Sequence, residues 1–80
     1  MINIINTAYK HGISDSDILA CFNNFIYKGS LDDGKFLLLG WSSNSTLLEM
    51  MFIEHPTGDI DIFHCMKARK QYTDSLRSKL

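Results

Sequence analysis

The second half of the chain is cut at short intervals by turn chemistry, and this restricts the fold more than any other feature. "LDDGK" from Leu31 is a tight hairpin turn, "SSNST" from Ser42 a longer loop, and "HPTGD" from His55 a turn with Pro56 at a corner and Gly58 free to take positive φ. Between these turns lie four apolar runs, Phe25 to Leu31, Lys35 to Ser42, Thr46 to His55 and Asp59 to Met66. Each has strand length, and such short connections leave only antiparallel neighbours, so the spacing predicts a four-stranded meander.

Ahead of it, Ser14 can cap a helix by accepting from the backbone at Asp17, with Asp15 and Asp17 in the positive first turn. Ile18, Leu19, Phe22 and Phe25 then recur at helical spacing. "INIINTAYKHG" reads as a shorter helix, with Ile5, Ala8 and Tyr9 on one side and Gly12 as its left-handed stop. The tail "KQYTDSLRSKL" places Tyr72, Leu76 and Leu80 on one stripe of a final helix. The expected fold is therefore α+β: two N-terminal helices, a four-stranded antiparallel meander and a short C-terminal helix.

Eighty residues are enough for one domain, 1–80, and leave no material for a second core. The second and third strands, "KFLLLGW" and "LLEMMFIE", are apolar on both faces, so one face takes the N-terminal helices. The other, with Met50 and Phe52 or their alternates, is covered by the last helix or left for a partner.

Charge is distributed unevenly. The chain carries −1 overall, yet Met1 to Met66 holds three basic and eight acidic residues, whereas Lys67 to Leu80 holds five basic and one acidic. A local anion site is possible without a global positive field. Cys21 and Cys65 lack metal-type or Cys-x-x-Cys spacing, and the N-terminus lacks the apolar core of a signal peptide, so a cytoplasmic chain with reduced thiols is expected. No apolar run has the length to span a bilayer, and no membrane role, metal or cofactor is expected.

The order of elements, with "KHGIS" (Lys10 to Ser14), "LLLGWSSNSTLLEMMFI" and "IFHCMKARKQY", resembles the BrnT-like toxins of bacterial type II toxin–antitoxin pairs, within the RelE and ParE toxin superfamily. The resemblance implies a RelE-like fold and a metal-independent endoribonuclease that inhibits translation, acting on RNA, in some cases at the ribosome. It also implies a cognate antitoxin, with a toxin–antitoxin heterotetramer as one assembly. Departures exist: His64, Cys65 and Met66 replace part of the basic word that ends the last strand in many of these sequences.

RNA cleavage through its own 2′-hydroxyl needs a base at that hydroxyl, an acid at the leaving 5′-oxygen and a cation on the phosphorane. His64 can exchange protons near neutral pH, Lys67 and Arg69 can hold phosphate, and Tyr72 is a further proton carrier. Lys70, Arg77, Lys10 and His11 are the RNA-binding candidates. Strict alternation would put Ile60, Ile62, His64 and Met66 on one face and Asp61, Phe63, Cys65 and Lys67 on the other, leaving Lys67 and Arg69 as the favoured shared site. Plainer readings fit the same residues: a solvated cationic face, His64 in packing, and His11 capping a helix end. Two further functions share the fold, a non-enzymatic protein-binding module and a ParE-like toxin acting on a protein target.

Overall fold

The computed structural model describes residues 1–79, with side chains as far as Leu76. Strand β1 (Ile2–Ile4) leads into a 3-10 turn (Asn6–Tyr9) and helix α1 (Asp15–Asn23). Four strands follow, β2 (Phe25–Ser30), β3 (Lys35–Trp41), β4 (Leu47–Glu54) and β5 (Ile60–Lys67), and helix α2 (Lys70–Lys79) closes the chain. The sheet has five strands in the order β1-β5-β4-β3-β2; β1 runs parallel to β5, and the other neighbours are antiparallel.

This corrects the expected two N-terminal helices and four-stranded antiparallel sheet. The segment read as a first helix is a strand followed by one tight turn. Position Ile5 at the start of that turn offers no side-chain cap, and Gly12 at φ +76° stops the chain soon afterwards, so a full helix lacks both a start and a length. Meanwhile β5 presents a free edge that the N-terminus fills. Ile60 N–H donates to the Met1 carbonyl, Asn3 bonds Asp61, and the terminal ammonium pairs with Asp59 at 2.9 Å.

Helix α1 starts as its sequence dictates, with the Ser14 hydroxyl accepting from Asp17 N–H. The Asp17 carboxylate then reaches the next loop, and hydrogen bonds from the Ser43 side chain and backbone hold it below the usual carboxylate range. Ile18 and Cys21 of α1 pack with Leu38, Leu48, Met50, Phe52, Ile62 and Cys65 to form the core on one face of the sheet. Gly40 makes this approach possible, because a Cβ there would stand 3.1 Å from the Cys21 Sγ and closer still to its carbonyl oxygen. Met50 and Phe52 thus lie under α1. The opposite face carries Leu37, Leu39, Glu49 and Met51, and α2 covers part of it.

One irregularity decides where the side chains of β5 go. Opposite β4, Met51 pairs with His64 but Phe52 pairs with Ile62, so Phe63 is an extra residue in a β-bulge. Its carbonyl accepts a 2.7 Å bond from the Thr7 hydroxyl of the 3-10 turn. Strict alternation fails at that point. Ile62, Cys65 and Lys67 lie on the α1 face, while His64 and Met66 lie on the face of Met51 and Glu49.

Candidate functional site

Glu49 is wholly buried in the middle of β4, an apolar strand, and such a charge is tolerable only with partners. It has three. Arg69, in the two-residue link between β5 and α2, donates Nε to Oε1 at 2.9 Å and Nη2 to Oε2 at 2.8 Å, and its backbone N–H adds a 3.0 Å bond to Oε1. The fork-on-carboxylate geometry is the strong, bidentate kind. His64 Nε2 completes the set at 2.9 Å from Oε2.

Burial alone would push the Glu49 carboxyl up. The Arg69 guanidinium, His64 and the Arg69 backbone N–H together outweigh it, and the carboxyl sits below its ordinary value. The carboxylate is therefore ionised at neutral pH and can only accept. His64 Nε2 must be the donor in this pair, which leaves the lone pair of the neutral imidazole on Nδ1. The ring is thus held in one tautomer by a fixed anion, the arrangement that prepares an imidazole to act as a base.

The His11 ring stands edge-on to His64, 5.6 Å between centroids. His11 is exposed, and Lys10 beside it is exposed as well. On the other side, the Arg69 guanidinium carbon lies 5.7 Å from the centre of the Tyr72 ring, and nearly half of the Arg69 side chain remains in solvent. A continuous chain of contacts results, from His11 through His64, Glu49 and Arg69 to Tyr72.

The expected candidates therefore divide. His64, Arg69, Tyr72 and His11 are brought together. Lys67 is not, because the bulge turns it to the α1 face, where its cross-strand neighbour is the core residue Leu48. Lys70 is paired with Asp74 at 2.8 Å within α2. Arg77 has a side chain outside the described residues, as does the whole of Leu80. The expected phosphate clamp of Lys67 with Arg69 is not assembled, and Arg69 commits its Nε and one Nη2 hydrogen to Glu49.

Glu49 was missed by reading the sequence, although a lone carboxylate inside an apolar run, upstream of a surplus of bases, is itself a signal for a buried ion pair. Cys65 is wholly buried, and hydrogen bonding with Cys21 together with burial pushes its thiol up, so it offers no accessible thiolate beside His64. Among the described residues no group of His, Cys, Asp and Glu is arranged to hold a metal ion, and no helix is long and apolar enough to cross a membrane.

No protein-family model, curated protein or solved structure matches this chain. Any reading of its function stands on the residues themselves.

The depressed carboxyl value has a testable consequence. A carboxylate whose value is lower in the folded than in the unfolded chain contributes stability that is fully present above the unfolded value, about 4.3, and is lost as pH falls through the folded value. Glu49→Gln should therefore unfold with a shallower loss of stability on acidification than the parent. Asp17, Asp59 and Asp61, also lowered, keep part of that slope in both proteins. Urea unfolding between neutral pH and the acid range measures it; parallel curves for the two proteins would contradict the ionised state assigned to Glu49.

Proposed function

We propose that the chain is a small toxin that cleaves single-stranded RNA by activating the 2′-hydroxyl. The observation that carries this reading is the pair of imidazoles, one of them fixed by the buried anion Glu49 with Arg69 on the same carboxylate. His64 Nδ1 takes the proton of the 2′-hydroxyl, the freed oxygen attacks phosphorus, and the bond from phosphorus to the 5′-oxygen breaks. His11, as imidazolium, returns a proton to the leaving oxygen. The products are a 2′,3′-cyclic phosphate and a 5′-hydroxyl. The exposed part of the Arg69 guanidinium and the neighbouring Lys10 supply positive charge to the phosphoryl oxygens.

The resemblance to BrnT-like toxins supports an RNA-cleaving role through the words that contain Lys10, His11, Arg69 and Tyr72, while His64 departs from the family word and stands on its geometry alone. On it, the chain acts on cytoplasmic RNA and is held in check by an antitoxin. The test is incubation of the purified protein with a single-stranded RNA, with end-group analysis of the fragments. Cyclic phosphate ends are expected from the parent and, undiminished, from Lys67→Ala. Intact RNA with the parent protein would reject the reading.

A second function, a non-enzymatic protein-binding module, is favoured by a different observation. Strand β2 is a sheet edge on which Phe25 is 52% and Ile26 48% exposed, an open template for an added strand.

A further inference from the structure

We infer that the recess between α2 and the sheet is a subsite for one nucleobase of the RNA, an inference that rests on the proposed RNA-cleaving function and names the part of the substrate it grips. The recess has a volume of about 210 Å³ and is lined by Tyr27, Leu37 and Leu39 of the sheet and by Tyr72, Ser75 and Leu76 of α2. That is a slot for a single planar ring, well short of the roughly 300–1,000 Å³ of a site that encloses a whole drug-sized ligand. Two tyrosine rings and three leucines offer the stacking and apolar contact that unpaired bases take from proteins; the Ser75 hydroxyl on the rim donates to the Gln71 carbonyl.

The position of the recess ties it to the two imidazoles. Tyr72 lines it and also carries the Arg69 guanidinium over its ring; Arg69 holds Glu49, and Glu49 holds His64. Leu39 in the recess is the cross-strand neighbour of Glu49, and Leu37 that of Met51, whose next neighbour is His64. The recess floor and His64 are thus on the same sheet face, two strand spacings apart, about 10 Å. A base seated on the leucines would leave its own phosphate between the recess and His64, alongside the partly exposed Arg69.

The test follows the leucine methyl resonances of the intact protein by NMR while adding adenosine monophosphate, uridine monophosphate or ribose 5-phosphate. Both nucleotides should shift Leu37, Leu39 and Leu76, and the base-free sugar phosphate should not. Tyr27→Ala should weaken nucleotide binding roughly ten-fold or more and raise KM for RNA while leaving kcat near that of the parent. Leu37→Trp, which fills the slot, should abolish the shifts. Unmoved leucine methyls, or shifts of equal size with ribose 5-phosphate, would overturn the subsite, and so would an apolar peptide from a partner strand competing for the recess where nucleotides fail. His64→Gln separates the two levels. Lost cleavage without any base-dependent shift removes the subsite alone, whereas base-dependent shifts with undiminished cleavage by His64→Gln remove the catalytic assignment and leave the subsite standing.

Discussion

Replacing His64 by glutamine is expected to lower RNA cleavage by about 10²- to 10⁴-fold, the usual worth of a positioned acid or base. Glutamine keeps a donor that can face Glu49, so the buried anion retains a partner and the fold should survive. What disappears is the nitrogen lone pair held ready at Nδ1. The replacement should reduce kcat rather than raise KM, because His64 acts on the proton and does not grip the substrate. His11→Ala should lower kcat as well, through loss of the proton delivered to the leaving oxygen. Cleavage by His64→Gln at the parental rate would show that the imidazole does no proton transfer.

Gly40→Ala is expected to cost the fold about 3 kcal/mol, at the upper end of ordinary overpacking. The reason is the identity of the obstacle. The added methyl would meet the backbone of Cys21, a carbonyl inside α1, and no side-chain rotation can move it aside. Helix α1 would have to lift from the sheet, opening the contacts of Ile18 and Cys21 with Leu38, Leu48 and Met50. Gly29 provides the contrast, since a Cβ there meets only the ring end of Tyr27. Urea denaturation should place the Gly40→Ala midpoint well below that of Gly29→Ala. Equal midpoints would mean that α1 is not seated so closely on β3.

Much of this architecture is written locally. Asp32-Asp33-Gly34 and Pro56 to Gly58 mark the turns, Gly12 and Gly58 take positive φ as expected, and strands β2 to β5 begin and end near the limits of the apolar runs. The Ser14 cap, likewise local, sets the start of α1. What the sequence does not display are arrangements made at a distance. Strand β1 is three residues long and exists because β5, some 58 positions away, offers it an edge. The bulge at Phe63 has no turn residue to announce it; it is held by a hydroxyl from Thr7 in a segment that reads as helix.

That bulge also explains why the site was only partly legible. Counting by twos from Ile62 sets His64 and Cys65 on the wrong faces once an extra residue intervenes, so His64 turns toward Glu49 and Lys67 toward the α1 face, away from the carboxylate that Arg69 holds. The cations gathered after Met66 do have a common cause in part. Arg69 is there to neutralise a buried carboxylate, and Lys70 to pair with Asp74 along its own helix. His11 and His64 are 53 positions apart, and no spacing rule connects them.

The account turns on an ionised Glu49 that keeps the proton of neutral His64 on Nε2. Long-range proton–nitrogen correlation on the nitrogen-15-labelled protein, taken at mildly alkaline pH, reads that tautomer directly. The predicted spectrum has a pyrrole-type Nε2 bearing hydrogen and a pyridine-type Nδ1, and in Glu49→Ala the ring reverts to the mixed tautomers of a free imidazole. A proton on Nδ1 in the parent, or a spectrum indifferent to the loss of Glu49, would contradict it.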